Sequence, residues 1–203
     1  MIEIMSPVGS YESLMAAIQG GADSVYFGVG KLNMRSRSAN NFTLDDLVKI
    51  ASIARDHGVR TYLTVNTIIY NEELEEMRLT VRTAKEAGIS AIIASDMSVI
   101  AYANSIGMEI HISTQASIIS PAAACAWAAL GARRLVLARE LQFSEIAAIR
   151  AALPHDVQLE AFIHGSMCVS YSGRCLLANM MNGRDGNRGT CSQPCRWHYH
   201  LIE

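Results

Sequence analysis

The repeated alternation of short apolar runs with helical segments constrains the fold of this chain more than any other feature of its sequence. The apolar runs are rich in Val and Ile, as expected for strands that are buried on both faces. The segments between them, such as "TLDDLVKIASIARDHG", place their apolar residues at helical spacing. Strand–helix units in such a series form a parallel sheet with right-handed crossovers. The predicted strands cover residues 2–9, 24–30, 61–69, 91–95, 109–115, 134–140 and 158–165.

Capping signals at the ends of the helical segments support this assignment. Thr43 and Asp46 have the spacing of an N-cap residue with an acidic group in the first helical turn. Glycine often ends a helix because it readily adopts the left-handed conformation required there. We therefore predict six helices together with the seven strands. The glycines at predicted helix ends are Gly58, Gly88, Gly107 and Gly131.

Both a doubly wound sheet and a (β/α)8 barrel are compatible with seven such strands. No GxGxxG follows the first strand, which weakens the dinucleotide-binding version of the doubly wound fold. Polar residues instead follow nearly every strand, and a barrel collects such strand ends around one mouth that holds its active site. We therefore predict a TIM-barrel-like fold. The polar residues at the strand ends are Ser6, Asn33, Asn66, Asp96, His111, Gln115, Arg139, Glu140 and His164.

The predicted barrel is incomplete, since it has one strand fewer than eight unless "RWHYHLIE" at the end of the chain supplies it. No linker or low-complexity segment divides the sequence. We expect residues 1–203 to form a single barrel-like domain, and we expect this domain to be the N-terminal part of a longer protein.

The composition is that of a globular domain with no global preference for nucleic acid or membrane. The 203 residues are 50% hydrophobic and 18% charged, and the formal net charge is -2. No run of 18 apolar residues occurs, and the first residues lack the basic head and apolar core of a signal peptide. We therefore expect a cytoplasmic protein without a membrane-spanning segment.

Four of the five cysteines lie in one stretch that directly follows the seventh predicted strand. This stretch, residues 164–197, is named the cysteine segment, and it reads "HGSMCVSYSGRCLLANMMNGRDGNRGTCSQPCRW". Three explanations for such crowding compete. They are a disulfide knot, a metal or iron–sulfur site, and a catalytic thiol accompanied by bystander cysteines.

Cellular redox state and residue spacing rank these explanations. A reducing cytoplasm disfavours structural disulfides. The spacing is Cys-x6-Cys-x15-Cys-x3-Cys, and only the last pair matches the short knuckles of structural zinc sites. Iron–sulfur clusters accept uneven spacing, so a cluster is favoured while zinc stays open. A catalytic Cys168 activated by His164 would leave three cysteines unexplained.

The cysteine segment and its flanks, "EAFIHGSMCVSYSGRCLLANMMNGRDGNRGTCSQPCRW", resemble the signature of the peptidase U32 family, also called collagenase-like proteases. The stretches "VLARELQFSEIAAI", "HISTQASI" and "SPVGSYESLMAAIQGGADSVYFG" are similar to patterns of the same family. The resemblance covers essentially the whole chain. The ending "GTCSQPCRW" is most similar to the branch that makes 5-hydroxyuridine in tRNA.

The resemblance implies a barrel-like catalytic domain with a 4Fe–4S cluster. It also implies oxygen-independent hydroxylation of tRNA, with prephenate as the oxygen donor. Two alternatives remain: a peptidase, as the family name says, and a non-catalytic cluster-bearing subunit of a hydroxylation complex. Members of the branch continue past this chain's end, so we expect a protein partner or a missing C-terminal domain. The implied cluster ligands are Cys168, Cys175, Cys191 and Cys195.

Arginines and aromatic residues near the cysteines are candidates for RNA binding. Arg174, Arg196 and Trp197 are the predicted contacts, because arginine pairs with phosphate and aromatic rings stack on bases. The same arginines, together with Arg184 and Arg188, would also neutralise an anionic cluster. Both interpretations stay open at the level of the sequence.

Prephenate is a dicarboxylate, so arginines near the predicted mouth are candidates for holding it. Arg35 and Arg37 lie in the loop "NMRSRSANNF" after the second predicted strand, and a guanidinium fork matches a carboxylate well. They are therefore predicted substrate-binding residues.

Three residues at the ends of predicted strands are candidates for catalysis. His111 and His164 are predicted to transfer protons, and Arg139 is predicted to hold a carboxylate beside them. The neighbouring Glu140 is expected to form an internal ion pair with Arg139 rather than to act in catalysis.

Overall fold

The computed structural model describes residues 2–34, 36, 41–165 and 167–200. Within these residues, seven parallel strands form one sheet in which every strand pairs with the next one in sequence. The strands are β1 (Met5–Pro7), β2 (Ser24–Gly28), β3 (Arg60–Val65), β4 (Ala91–Ala94), β5 (Ile110–Ile112), β6 (Arg134–Val136) and β7 (Gln158–Glu160).

Helices follow the strands on one side of the sheet, as the sequence pattern predicts. Six of them connect or follow the strands, and the seventh lies inside the cysteine segment, where no helix was predicted. This seventh helix has six residues, which is too short for an apolar period to be recognised in the sequence. The α-helices are α1 (Tyr11–Gln19), α2 (Leu47–Asp56), α3 (Leu74–Ala87), α4 (Met97–Ser105), α5 (Pro121–Ala129), α6 (Phe143–Ala152) and α7 (Leu177–Asn182).

The predicted capping signals are confirmed. The Asp46 carboxylate accepts hydrogen bonds from the Thr43 backbone N–H and hydroxyl, both at 2.8 Å, at the start of the turn that leads into α2. Gly88 ends α3 in the left-handed conformation, with φ +84°. Gly58, Gly107 and Gly131 also have positive φ angles.

Alternate residues of the strands face two different environments. Leu63 and Val65 on β3 belong to the main core between the sheet and the helices, whereas Tyr62 faces the concave side with Ala91 and Ile93. A sheet that buries both faces explains why the strands read as continuous apolar runs rather than as alternating ones.

The sheet curls far enough to bring its first and sixth strands into contact across the concave side. The Arg134 guanidinium on β6 donates to the carboxylate of Glu3, just before β1, with Nη2 2.6 Å from Oε2. Strands β1 and β7 do not pair with each other among the described residues. The fold is therefore an incomplete (β/α) barrel, as predicted. The expectation that "RWHYHLIE" supplies a strand is wrong for residues 196–200, while residues 201–203 lie outside the described part.

The amino-terminal half of the barrel interior holds a buried ionic cluster. Burial would raise the pKa of Glu3, but hydrogen bonds from Arg134 and Tyr62 outweigh this and lower the pKa to about 2. Glu160 lies 3.6 Å from Arg134, and burial raises its pKa to about 7 despite that cation. This end of a barrel contributes to stability rather than to catalysis. No described helix has the length and apolar character needed to cross a membrane.

Candidate active site at the carboxyl ends of the strands

A cavity of about 330 Å³ opens where β3, β4 and β5 end. This is the end of a (β/α) barrel at which catalytic sites lie. The cavity is bordered below by the loops that leave the three strands and above by the cysteine segment. Its lining residues are Asn66, Ile68, Ser95, Asp96, Met97, Gln115, Gly173 and Asn187.

A second cavity of about 250 Å³ lies at the opposite end of the sheet, between α2 and the amino ends of β3 and β4. Its lining includes Arg55, Gly58, Arg60 and Ser90. It is remote from the cysteine segment and from every strand's carboxyl end, so we assign the candidate site to the first cavity.

Asn66 is held rigidly at the end of β3. Its side-chain oxygen accepts a hydrogen bond from the Met34 backbone N–H at 3.1 Å, and its amide nitrogen donates to Ser113 Oγ at 3.2 Å. The Ser95 hydroxyl donates to the Asn66 backbone carbonyl at 3.1 Å. These bonds join the ends of β3, β4 and β5, and they leave part of the carboxamide's hydrogen-bonding capacity unused.

Asp96 borders the cavity, but its carboxylate is already occupied. One oxygen accepts from the Ser98 backbone N–H at 2.8 Å, which makes Asp96 the N-cap of α4. The other oxygen accepts from the Ile69 backbone N–H at 3.0 Å. Because both oxygens stabilise backbone groups, the structure supports a capping role for Asp96 rather than that of a free base.

Gln115 contributes a carboxamide without such an anchor. It lies in a single 3-10 turn directly after β5, and the Ser113 hydroxyl accepts from its backbone N–H at 3.3 Å. Its side chain forms no hydrogen bond with the residues that the structure describes. Its donor and acceptor are therefore both available to a ligand in the cavity.

The cysteine segment is attached above the cavity through a buried serine. The Ser172 backbone N–H and hydroxyl donate to the two oxygens of Glu140 at 3.1 and 2.9 Å, and Ser172 Oγ accepts from the Arg139 backbone N–H at 3.2 Å. Next to it, Gly173 has φ +73°, and a Cβ there would stand 2.2 Å from the Gln115 carbonyl oxygen. Only glycine permits so close an approach.

An ion pair attaches the same segment at a second point. Arg188 donates to both carboxylate oxygens of Glu73, at 2.8 and 2.6 Å, and its guanidinium lies 4.6 Å from the centre of the Tyr70 ring. The Glu73 side chain is only 6% exposed. The Arg188 hydrogen bonds hold the pKa of Glu73 down at about 2, so the carboxylate stays ionised.

The four cysteines of the segment are free thiols. Cys168, Cys191 and Cys195 are exposed, and Cys175 is partly buried. A Cβ at Gly186 would lie 3.9 Å from both Cys191 Sγ and the Cys175 carbonyl oxygen, so parts of these two cysteines lie close to that glycine. The Arg196 guanidinium, next to Cys195, donates to the Met167 carbonyl beside Cys168 at 3.1 Å. The segment thus folds back on itself.

The donor chemistry of the segment fits an iron–sulfur cluster, because free and accessible thiols are the ligands that such clusters use. However, no three Cys, His, Asp or Glu side chains of the described residues converge into a metal-holding group. The four sulfurs would have to draw together around a cluster. Cys125 is separate from them, on α5, with its sulfur 3.5 Å from the Ala152 carbonyl oxygen.

The three residues predicted for catalysis occupy different environments. His111 is buried in the barrel interior, where its Nε2 lies 2.9 Å from Glu109 Oε1 and its ring packs edge-on against Tyr62 at 4.6 Å. Burial lowers the pKa of His111. His164 is exposed at the start of the cysteine segment, and Arg139 is partly buried with its Nε unpaired among the described residues.

The structure thus brings Arg139, but not His111, to the carboxyl end of the sheet. The expected ion pair between Arg139 and Glu140 does not form in the described part of the chain, because Glu140 bonds Ser172 instead. Arg35 and Arg37 lie outside the described residues.

Cations and aromatic rings are exposed in the cysteine segment and just after its end. Arg174, Arg184 and Arg196 are exposed, whereas Arg188 is committed to Glu73. The exposed aromatic residues include Tyr171, Trp197 and Tyr199, which are 69%, 49% and 58% exposed. We name these three arginines and three aromatic residues the arginine–aromatic surface.

Several residues that build the site were missed by sequence reasoning. Glu73 bonds Arg188, which is 115 positions away in the sequence, and Ser172 bonds Glu140, which is 32 positions away. No local sequence pattern predicts such pairs. Gly173 and Asn187 line the cavity from within the cysteine segment. The glycine in "YSGRC" was the one available signal, since a glycine outside a helix end often marks a close backbone approach.

Comparison with known protein families identifies the family of the chain. Residues 9–203 match the profile of Peptidase family U32. The chain belongs to the peptidase U32 family. Among solved structures, it resembles the U32 peptidase Mk0906 with a TM-score of 0.67 and 16% identity, covering 79% of this chain and 68% of that one. At this identity the likeness supports the incomplete barrel fold alone.

Curated relatives in the U32 family carry different names. The chain is 52% identical to a collagenase of Porphyromonas gingivalis, over 97% of this chain and 50% of that protein. It is 36% identical to tRNA hydroxylation protein P1 of Bacillus subtilis, over 99% and 47%. It is also 36% identical to the 23S rRNA 5-hydroxycytidine C2501 synthase of Escherichia coli, over 98% and 30%. The chain spans about half the length of the first two relatives, and less of the third.

Proposed function

We propose that this U32 chain is the catalytic barrel of an enzyme that hydroxylates a pyrimidine in RNA, with uridine in tRNA as the substrate. The observation that carries the proposal is the polar cavity at the carboxyl ends of β3, β4 and β5, which a cysteine-rich segment covers. The relatives named for tRNA hydroxylation and for 5-hydroxycytidine synthesis support RNA as the substrate class.

The cofactor in this proposal is a 4Fe–4S cluster held by Cys168, Cys175, Cys191 and Cys195. All four are free thiols and three of them are exposed, which supports this assignment. When bound, such a cluster supplies one-electron chemistry at a potential tuned by its surroundings. The anchors at Ser172 and Arg188 would keep the cluster-bearing segment over the cavity during turnover.

The oxygen donor in this proposal is prephenate. Its carboxylates need cationic partners, and the unpaired Nε of Arg139 near the Ser172 anchor supports that residue as one of them. Arg35 and Arg37 remain predicted partners. His164 remains the predicted proton-transfer group, because it lies at the start of the cysteine segment and is open to solvent.

The arginine–aromatic surface is proposed to receive the RNA. Its three exposed arginines suit phosphate contacts, and its exposed rings suit stacking on unpaired bases. Because Arg188 is engaged with Glu73, it is not counted among the phosphate contacts.

The proposal is tested in a strain from which the gene has been deleted and then restored as the complete coding sequence. Nucleosides from tRNA and rRNA are quantified by mass spectrometry. We expect wild type and Cys125→Ser to restore a C5-hydroxylated pyrimidine, and Cys175→Ser to fail. Restoration by Cys175→Ser would contradict the cluster assignment. An RNA without any change on deletion would contradict the function itself.

Peptide hydrolysis is a second candidate, favoured by the 52% identity with the Porphyromonas gingivalis collagenase. The described histidines give it no support, since His111 contacts Glu109, His57 contacts the Ile53 carbonyl, and none bonds a serine or cysteine side chain. Incubation of the purified complete protein with gelatin decides the matter. Cleavage that survives Cys175→Ser would establish a peptidase independent of the cysteine segment.

A further inference from the structure

We infer that the cavity at the carboxyl ends of β3, β4 and β5 binds the pyrimidine base itself, and that Gln115 reads the edge of that base. The inference rests on the proposed function and deepens it, because it names the group that enters the cavity. Under this inference the base and the oxygen donor bind at different places. The oxygen donor is then held by cations outside the described lining of the cavity.

The charge of the cavity argues for an uncharged ligand. Its described lining has one carboxylate, Asp96, and neither a lysine nor an arginine. A dicarboxylate placed there would lose its hydration without gaining a cationic partner, and it would be repelled by Asp96. A neutral heterocycle has no such penalty. The described lining of the cavity therefore suits a nucleobase better than it suits an organic diacid.

Three amide side chains are among the polar groups of the described lining. Gln115 has an unengaged carboxamide, and Asn66 has capacity left after its bonds to Met34 and Ser113. Asn187 adds a third amide, held by a long contact of 3.5 Å to the Cys175 carbonyl.

A carboxamide presents a donor and an acceptor side by side, and pyrimidines present the complementary pair along their Watson–Crick edge. Uracil offers an acceptor next to a donor, and cytosine offers the same two groups in reverse order. Rotation of the Gln115 amide by half a turn pairs it with either base. This property matches a family whose relatives are named for different RNA hydroxylations.

The rim of the cavity supplies apolar surface for the faces of a base. Ile68 and Met97 are 48% and 51% exposed, although both are large apolar side chains next to polar lining residues. Enzymes that take a base out of its stack hold it between apolar or aromatic side chains. A volume of about 330 Å³ also lies within the range of small-molecule pockets.

The cavity lies directly beside the cysteine segment. Gly173 and Asn187 belong to both, and Asn187 contacts the carbonyl of Cys175. A base in the cavity would therefore lie close to the backbone of Cys175, one of the proposed cluster ligands.

The test uses the deletion strain carrying the complete gene as wild type, Gln115→Ala, Gln115→Glu or Gln19→Ala. Gln19 is an exposed amide at the end of α1, away from the cavity, and serves as the matched control. The near-isosteric Gln115→Glu keeps the size of the side chain but removes its donor. Hydroxylated pyrimidine is measured by mass spectrometry, together with the abundance, iron and sulfide of each purified protein.

We expect both Gln115 variants to lower hydroxylation by roughly tenfold to a hundredfold, the usual effect of losing a bidentate base contact. Iron, sulfide and abundance should match wild type, and Gln19→Ala should be fully active. Wild-type hydroxylation in Gln115→Ala would overturn the inference while leaving the proposed function intact. Loss of iron together with activity would also overturn it, since Gln115 would then be structural. Absence of hydroxylation in the wild-type strain would instead reject the proposed function.

Discussion

Two individual residues, Arg188 and Glu73, determine how firmly the cysteine segment is attached to the barrel. Their bidentate ion pair joins the segment to the start of α3, and the Glu73 carboxylate is almost fully buried. A buried carboxylate left without its cation is strongly destabilising. We therefore expect this ion pair to hold the cysteine segment in place, which an exposed ion pair would not do.

Arg188→Ala is predicted to loosen the cysteine segment at a cost of about 1.5–3 kcal/mol, the range for losing hydrogen bonds to a charged group, because Glu73 keeps its bond from the Tyr70 backbone N–H. Hydrogen exchange of residues 183–196 in the complete protein should become faster, while exchange in β3 and β4 stays unchanged. Arg184→Ala is the control, because Arg184 is exposed in the same segment. Equal exchange rates in the two variants would contradict the anchoring role.

Glu160 makes the stability of the barrel depend on pH. Burial raises its pKa to about 7, and the neighbouring Arg134 only partly offsets this. Because the folded-state pKa is raised, the contribution of this group is fully present below its ordinary value and is lost as pH rises through 7. Glu3, Tyr62 and His111 lie in the same cluster.

Glu160→Gln is predicted to remove this loss. Relative to wild type, its free energy of unfolding should increase by about 1–3 kcal/mol between pH 5 and pH 8. Urea unfolding of the complete protein, followed by circular dichroism at both pH values, measures the difference. A constant difference across that range would show that Glu160 is ionised throughout.

At the scale of structural elements, the contact between the cysteine segment and the turn after β5 shapes the cavity. Gly173 and the Gln115 carbonyl approach so closely that no side chain fits between them. Gly183, at the end of α7, has a similar positive φ of +69° but open space around it. Substitution of Gly183 therefore tests backbone strain alone, whereas substitution of Gly173 tests backbone strain together with steric exclusion.

Gly173→Ala is predicted to displace the segment and abolish RNA hydroxylation, whereas Gly183→Ala should lose only about 1 kcal/mol from its left-handed backbone. Nucleoside mass spectrometry and thermal unfolding of the two variants provide the measurement. Full activity of Gly173→Ala would show that the segment does not need this contact.

The elements themselves were largely predictable from the sequence, because each depends on local pattern. The β2 prediction, residues 24–30, overlaps the observed Ser24–Gly28, and the cap at Thr43 forms as expected. The predicted strands at 109–115 and 158–165 run too long, since Ile110–Ile112 and Gln158–Glu160 are the paired residues. Polar residues that end a strand look, in sequence, like its continuation.

The site was less predictable, because its decisive contacts join distant residues. Asn66, Asp96 and Gln115 were recognised as strand-end polar groups, and they do line the cavity. Neither the Glu140–Ser172 bonds nor the Arg188–Glu73 pair has a local signal. His111 lies inside the barrel and not at its mouth because of the way the sheet curls. The periodicity of the sequence does not predict that curl.

At the scale of the whole molecule, seven strands curl into a barrel that stays open between β1 and β7 in the described part of the chain. The ionic cluster occupies one end, and the cavity with the cysteine segment occupies the other. This separation of stabilising and reactive ends is typical of (β/α) barrels. It allows the cysteine segment to be altered without disturbing the core.

The most direct measurement of the central claim is reconstitution with purified components. The complete protein, purified without oxygen and shown to contain iron and sulfide, is incubated with unmodified tRNA and prephenate, and 5-hydroxyuridine is quantified by mass spectrometry. We predict 5-hydroxyuridine with wild type and Cys125→Ser, and none with Cys175→Ser or without prephenate. Formation of 5-hydroxyuridine by the Cys175→Ser protein, or none by iron-loaded wild type with prephenate and tRNA present, would contradict the account.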